Sequence, residues 1–196
     1  MSHHHTSSKS VFVSGHSFTM IDHKIKVFED VLSSAVCQDL IDVYDSTSDV
    51  VVRDTDGYRF NEINIIDSPS FDKHRANVTK AMADVHSFYA SHYPSFPHTQ
   101  NYEAPRIKKY DQGIGEFDWH IDATTADTCK RILVMFFYLN DVEVGGETLF
   151  DLGENQLGVQ PKTGSVVCFP PHWTHPHKGC IPISGDKYVI SSYVQI

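Results

Sequence analysis

The stretch that decides the fold is RILVMFFYL, residues 131–139, in which one arginine is followed by eight consecutive apolar residues. A strand with one face in water alternates apolar and polar residues, whereas an unbroken apolar run is typical of a strand covered on both faces. We therefore expect residues 131–139 to form a central strand of a sheet.

Short strand-like runs surround this stretch on both sides and fill the chain after Pro105. Turns that contain Gly, Asp or Pro separate them, which is the pattern of an antiparallel sandwich or jelly-roll barrel. The other runs are RIKKY (106–110), EFDWHID (116–122), ETLF (147–150), SVVCF (165–169) and KYVISSYVQI (187–196).

The first hundred residues show helical periodicity in two places. Residues 25–44 begin with a strand-like alternation and continue at helical spacing, with Ser33 or Ser34 as the N-cap. A second helix is expected to start at Ser68-Pro69 and to end near the prolines of residues 92–97. Residues 48–68 mix β-branched residues with Asp and Gly, so short strands joined by turns are predicted there.

The composition indicates one globular domain without the charge of a nucleic-acid binder. Of the 196 residues, 40% are apolar, enough for one well-buried core. We expect a single domain over residues 11–196 after a disordered leader or tag remnant over residues 1–10, whose histidines are left out of the metal argument. The net charge of −9 without a basic cluster argues against nucleic acid as a partner.

The cysteines and the hydropathy pattern predict a cytoplasmic protein. Cys37, Cys129, Cys168 and Cys180 are scattered without a CxxC pair, and no secretory hydrophobic segment precedes them. No apolar run approaches the roughly 20 residues of a membrane-spanning helix, so no membrane partner is expected.

Histidines and an aspartate near two predicted strands form a candidate metal site. In WHID, residues 119–122, strand alternation predicts that His120 and Asp122 share one face. By the same alternation His175 and His177 share a face, and either can bring a second imidazole to the same ion. Two imidazoles and one carboxylate are the ligand set of non-haem Fe(II) oxygenases.

Each of these signals is weak by itself. His120 alone is an ordinary half-buried strand histidine, and Asp122 alone is a residue that caps the turn after it. The histidines of FPPHWTHPHKGC, residues 169–180, can equally form a polar turn. With Cys180 they can form a structural zinc site, although such a site would lack the usual second pair of closely spaced ligands.

Five motifs taken together resemble the Fe(II)- and 2-oxoglutarate-dependent dioxygenases, specifically the prolyl 4-hydroxylase-like branch. They are a tyrosine ten residues before HID, then RILVMFFYLND, GGETLF, P-x2-G-x4-F and H-x7-G-x-K-Y, within residues 105–196. More loosely, VFEDVLSSAVCQDLI (27–41) resembles the N-terminal strand and helix of the family. The resemblance implies an α+β fold with a double-stranded β-helix core (jelly-roll, cupin-like) and N-terminal helices packed on the major sheet.

The resemblance also implies the metal ligands. In the family, the distal histidine stands ten residues before the basic residue that holds the cosubstrate, and ten residues before Lys187 stands His177. His120, Asp122 and His177 are therefore expected to bind Fe(II), with His172 and His175 beside the site. A carboxylate at position 122 is the pattern of a hydroxylase, because related halogenases have glycine or alanine there.

Further residues are expected to contact the cosubstrate and the substrate. Lys187 would pair with the distal carboxylate of 2-oxoglutarate, and Tyr110 and Tyr138 match tyrosines of the cosubstrate pocket. Arg131 matches an arginine near the mouth of the site that can contact substrate, although a strand-edge charge explains it equally well. The segments 53–64 and 122–131 are expected to form loops over the iron.

The activity implied is hydroxylation of an unactivated C–H bond with release of succinate and CO2. The cofactors would be Fe(II), 2-oxoglutarate and O2, with ascorbate as a supporting reductant, and the substrate a small molecule or a peptide, such as free or peptidyl proline. Two alternatives stay open: a jelly-roll binding module of cupin type in which the metal is structural, and a metal-dependent isomerase or a dioxygenase that uses no oxo acid. Lys187 and the two tyrosines argue against the second.

Overall fold

Fourteen strands and two α-helices form the part of the chain that the structure describes. It is a computed structural model that describes residues 10–13, 16–22 and 24–196, with side chains from residue 24 onward. Of the expected leader, residues 1–9 lie outside the described residues, and the single-domain organisation stays a prediction. The strands are β1 Ser10–Val13, β2 His16–Asp22, β3 Ile25–Phe28, β4 Val51–Thr55, β5 Tyr58–Asn64, β6 Asn101–Tyr102, β7 Arg106–Tyr110, β8 Glu116–His120, β9 Arg131–Tyr138, β10 Thr148–Asp151, β11 Gln156–Val159, β12 Val166–Phe169, β13 His177–Gly179 and β14 Lys187–Gln195.

The strands pair antiparallel in an order that differs from their order in the chain. One run of neighbours is β3-β12-β9-β14-β7-β5, and β5 also pairs with β8, which continues into β13-β10-β11. The first run forms the major sheet of the barrel and the second its minor sheet. A curled antiparallel sheet that joins distant strands in this way is a jelly-roll core, and the fold class expected from the sequence is confirmed.

Strand β9 lies inside the major sheet, between β12 and β14. Leu133, Met135 and Phe137 point to the core between sheet and helices, while Val134 and Tyr138 point into a second core inside the barrel. All five side chains are at most 1% exposed. The continuous apolar run is therefore explained by two covered faces, as the sequence predicts.

Two α-helices cover the outer face of the major sheet. Helix α1, Ser34–Ser46, begins after Ser33, whose hydroxyl accepts a hydrogen bond from the Val36 amide, so Ser33 is the cap. A short 3-10 helix, Pro69–Phe71, leads into α2, Asp72–Ser91, as the Ser-Pro signal predicts. None of the helices formed by the described residues combines the length and apolar character that a bilayer span requires.

The N-terminal part contributes more to the sheet than its sequence indicates. Strand β3 pairs with β12, and the β4–β5 hairpin joins the major sheet through β7. The strands predicted in residues 25–44 and 48–68 are therefore present, but their places in the sheet were not predicted. The alternation of residues 25–28 is visible in the sequence, but its partner strand lies about 140 residues away, and nothing local identifies it.

We expect Gly164→Ala to lower the free energy of unfolding by about 3 kcal/mol, because two constraints require glycine there. Gly164 has φ +78°, and a Cβ would lie 2.1 Å from the Leu32 carbonyl oxygen. Gly113→Ala is the matched control, since Gly113 has φ +79° with open space around it, and should cost only about 1 kcal/mol. Urea unfolding of both variants measures the difference, and equal losses would contradict the account.

Candidate active site

Three side chains meet inside the barrel near the ends of β8 and β13. The Nε2 atom of His177 lies 3.2 Å from Oδ2 of Asp122, and Nε2 of His120 lies 3.8 Å from Oδ1 of Asp122. The candidate ligand atoms of the three residues all lie within 4.8 Å of one another. Within the described residues this is the one group of three or more His, Cys, Asp or Glu side chains with metal-site spacing.

The backbone brings these residues together in a way that strand alternation does not explain. His120 is the last residue of β8 and pairs with His177, the first residue of β13. Asp122 lies beyond the end of β8, where the amides of Asp122 and Ala123 both donate to the Pro171 carbonyl. The alternation argument for Asp122 was therefore wrong, because a bend held by Pro171 places its carboxylate. His175 likewise lies outside β13.

Hydrogen bonds orient both imidazoles toward the carboxylate. Nδ1 of His120 lies 2.7 Å from the Asp118 carbonyl, and Nδ1 of His177 lies 3.0 Å from the His175 carbonyl. Each histidine thus places a proton on Nδ1 and leaves Nε2 free as a lone-pair donor. The Tyr193 hydroxyl donates to Oδ1 of Asp122 at 3.0 Å.

Two of the three residues, His120 and Asp122, have the protonation states that a divalent cation requires. Oδ2 of Asp122 and Nε2 of His177 are buried without a hydrogen-bond partner among the described residues. Burial, reinforced by His177, lowers the pKa of His120 to about 4. Burial raises the pKa of Asp122, but His177 and His120 outweigh it and bring it to about 2. Neutral imidazole and ionised carboxylate are the metal-binding forms.

A buried lysine lies in the same cavity. The Lys187 side chain is 3% exposed, and its ammonium donates to the Gly146 carbonyl at 2.6 Å. Burial lowers its pKa to about 8, although Cys180 and Glu147 act in the opposite direction. Gly146 adopts φ +73°, a conformation that glycine tolerates without strain. Lys187 is therefore a cavity residue and not an ordinary surface lysine.

The two predicted tyrosines stand on either side of this lysine. The Lys187 ammonium lies 5.3 Å from the ring centre of Tyr110 and 5.5 Å from that of Tyr138. Tyr110 lines the cavity, whereas the Tyr138 hydroxyl lies 2.7 Å from Oγ1 of Thr148, and Thr148 lines the cavity in its place. Sequence reasoning missed Thr148, although it follows directly after GGE at the start of β10.

Arg131 is engaged on three sides at the outer edge of the site. Its guanidinium makes a two-point ion pair with Glu103, at 2.5 and 2.7 Å, and donates to the Asp122 carbonyl at 2.9 Å. It also stacks 3.7 Å above the Tyr193 ring. Arg131 lines the cleft outside the cavity, but its charge is already matched by Glu103, so it positions Asp122 and Tyr193.

The other histidines and the cysteine of the 169–180 segment do not join the metal group. His175 is buried and supplies the carbonyl that orients His177, while His172 is half-buried and is not a member of the three-residue group. Cys180 is a half-buried free thiol. A structural zinc site with Cys180 is therefore not supported.

Sequence reasoning also missed three residues beside the metal group. Phe117 stacks on the His120 ring with centroids 3.6 Å apart, and Tyr193 bonds Asp122. Lys108 lines the cavity with its ammonium above the rings of Phe60, at 4.6 Å, and Phe117, at 5.6 Å. Burial lowers the pKa of Lys108, against the effect of nearby carboxylates. The alternation of RIKKY, which places Lys108 and Tyr110 on one face, was the available signal.

Comparison with known proteins agrees with this geometry. Residues 105–195 match the sequence model of the 2OG-Fe(II) oxygenase superfamily. This segment belongs to that superfamily. The matched segment contains His120, Asp122, His177 and Lys187, and the cofactors of the superfamily are Fe(II), 2-oxoglutarate and O2.

Several prolyl hydroxylases are similar over most of this oxygenase. Probable prolyl 4-hydroxylase 4 of Arabidopsis thaliana is 23% identical over a 226-residue alignment that covers 97% of this chain and 74% of the relative. A prolyl hydroxylase structure from Trichoplax adhaerens has TM-score 0.69 at 14% identity, covering 88% of this chain and 84% of the other. A Pseudomonas putida prolyl-4-hydroxylase structure has TM-score 0.67 at 17% identity, covering 88% and 92%.

We expect His177→Ala and Asp122→Ala to weaken binding of a divalent metal more than 100-fold, because each removes one of three ligands. Tyr193→Phe removes only a hydrogen bond to Asp122 and should weaken binding about 10-fold. His172→Ala should bind like the unaltered protein. Calorimetry with Mn(II) under matched conditions measures the affinity of all four variants. An affinity equal to that of the unaltered protein in His177→Ala or Asp122→Ala would contradict the assignment of these residues as metal ligands.

Proposed function

We propose that the oxygenase hydroxylates proline, free or within a peptide, with Fe(II) held by His120, Asp122 and His177. The observation that carries the proposal is the pairing of two features in one cavity: a His-Asp-His group with unpartnered buried lone pairs, and a buried lysine. The bound cofactors supply the oxidation of the C–H bond. The chain's own residues bind the cofactors, orient the substrate and exclude water.

The metal ligands fit Fe(II) in number and kind. Two imidazoles and one carboxylate would hold the ion and would leave coordination positions for exogenous ligands. Oδ1 of Asp122 is taken by the Tyr193 hydroxyl, so Oδ2 is the oxygen that would face the metal. Tyr193 and the carbonyls that orient the imidazoles would hold the ligand set rigid.

Lys187 would hold the distal carboxylate of 2-oxoglutarate. Its ammonium has one described hydrogen bond, to the Gly146 carbonyl, and therefore keeps donors for a carboxylate. Tyr110 and the Thr148 hydroxyl line the same cavity and can donate to the same group. The rings of Tyr110 and Tyr138 on either side exclude water, which strengthens the ion pair.

The similar proteins and an open cleft beside Asp122 both favour a proline-containing substrate. The curated relatives are described as probable prolyl 4-hydroxylases, and one neighbour was solved with a hypoxia-inducible-factor peptide fragment. In this chain the β4–β5 hairpin borders a cleft that opens onto Asp122, with walls formed by residues of the hairpin and of β7. Such an open cleft suits an extended peptide that presents one ring to the site.

The experiment that tests this function needs no knowledge of the natural peptide. Fe(II) and then 2-oxoglutarate are added anaerobically, and the charge-transfer absorption of the chelate is recorded. Proline-containing peptides are then added with air, and mass spectrometry looks for a gain of one oxygen with succinate release. Metal binding without the chelate band would favour a structural metal in a cupin-type module.

We expect the affinity for 2-oxoglutarate to fall as the pH rises above about 8. The Lys187 ammonium has its pKa lowered to about 8 by burial, so above that pH the lysine must take up a proton to bind the dianion. The apparent Kd should then rise up to about tenfold per pH unit. Titration of Mn(II)-loaded protein, followed by the fluorescence of Trp119 and Trp173, measures this dependence.

Two variants check that Lys187 is responsible. Lys187→Arg stays charged throughout this range, so its Kd should vary little with pH. Lys187→Ala loses the counter-charge and should bind on the order of 100-fold more weakly at neutral pH, equivalent to about 3 kcal/mol. If the Kd of Lys187→Arg depended on pH as strongly as the Kd of the unaltered protein, this role of Lys187 would be contradicted.

A further inference from the structure

The cleft outside the metal cavity is lined by basic side chains, although the protein as a whole is acidic. Four cationic residues line it, and the only carboxylates in its wall are Glu62 and Asp122. The net charge of the chain is −9. A local excess of positive charge directly beside the catalytic group is therefore a specific feature of this cleft. The four cations are Arg53, Arg106, Lys108 and Arg131.

Two of these four cations are already neutralised. Arg53 lies 2.9 Å from the carboxylate of Glu62. Arg131 makes its two-point ion pair with Glu103. Neither guanidinium therefore carries a free charge for a ligand, which leaves Arg106 and Lys108.

Neither Lys108 nor Arg106 makes an ion pair in the described part of the chain, although the carboxylates of Glu62 and Asp122 line the same cleft. No side-chain hydrogen bond joins either of them to a described residue, and the Lys108 ammonium lies over the rings of Phe60 and Phe117. A half-buried ammonium without a counter-ion is costly unless a ligand completes it.

Strand β7 arranges these residues as a row on one face. Arg106, Lys108 and Tyr110 alternate along the strand, so their side chains share the inner side of the sheet. Arg106 lines only the outer cleft, Lys108 lines both cleft and metal cavity, and Tyr110 lines only the cavity. Lys108 therefore stands at the junction, next to the Phe117 ring that stacks on His120.

The charge of Lys108 is not needed by the cofactors. Asp122 cancels one of the two positive charges of Fe(II), and 2-oxoglutarate brings two negative charges. Lys187 and the remaining charge of the metal balance those two. The loaded site is then neutral without Lys108, whose positive charge stays available to a further anion.

We propose that Lys108, supported by Arg106, is a specificity-determining residue that binds a carboxylate of the substrate at the junction of cleft and cavity. The inference rests on the proposed function and narrows it to substrates with a carboxylate close to the hydroxylated ring. That carboxylate is either the α-carboxylate of a free amino acid or an acidic side chain beside a prolyl residue. Of Lys108 and Arg106, only Lys108 lines the cavity, so a single carboxylate balances the one positive charge that is available there.

Pairs of probes that differ only in this charge test the proposal. The first pair is L-proline and L-prolinamide, and the second is a set of capped proline peptides with glutamate or glutamine beside the proline. Binding to anaerobic protein loaded with Fe(II) and saturating 2-oxoglutarate is measured by calorimetry and by tryptophan fluorescence. In the unaltered protein the acidic member of one pair should bind at least tenfold more tightly, and the pair that responds identifies the source of the carboxylate.

Variants assign the preference to Lys108. Lys108→Met keeps the length of the side chain without its charge and should reduce the preference to less than twofold, while Lys108→Arg should retain it. Lys80→Met, an exposed lysine on α2 far from the cleft, is the matched control for overall charge and should keep the full preference. If Lys108→Met does not fold, as judged by urea unfolding, Lys108→Gln takes its place.

The outcomes separate this inference from the function on which it rests. If the unaltered protein forms no chelate with Fe(II) and 2-oxoglutarate, both fail. If the chelate forms but neither acidic probe binds more tightly than its amide, the carboxylate proposal alone fails. A preference that persists in Lys108→Met also overturns it.

Discussion

The structure depends on one constraint: lone pairs that are buried inside the barrel must face a cation. Nε2 of His177 and Oδ2 of Asp122 lie 3.2 Å apart without another described partner. Leaving such atoms unpaired costs folding free energy that the surrounding cores must supply. The two apolar cores on either side of β9 and the backbone bonds to both imidazoles hold this arrangement in place.

Charge is distributed along the inner wall of the barrel in an ordered way. Lys187 and Tyr110 line the cavity together with the His-Asp-His group, Lys108 lines both the cavity and the outer cleft, and Arg106 lines only the cleft. The strand pairing of β7 with β14, in which Tyr110 lies opposite Lys187, fixes the spacing between these charges. An elongated anion at one end and an anionic substrate at the other would then meet at the metal without competing.

The sequence predicted most of the fold and the central residues of the site. The apolar run of β9, the cap at Ser33 and the Ser68-Pro69 start were readable because each is a local signal. The bend at Asp122 could not be predicted from the sequence, because it depends on the carbonyl of Pro171, almost fifty residues away. Tyr193 was missed because a strand sequence does not reveal which face of the strand lines a cavity, whereas Lys108 could have been found from its alternation with Tyr110. The cytoplasmic location stays a prediction.

One measurement tests the central claim most directly: a crystal structure of the protein loaded anaerobically with Mn(II) and 2-oxoglutarate, with anomalous data. The account predicts one strong peak within coordination distance of His120, Asp122 and His177, and the distal carboxylate of 2-oxoglutarate beside the Lys187 ammonium. A metal peak away from these three side chains, or a cosubstrate carboxylate that avoids Lys187, would contradict it.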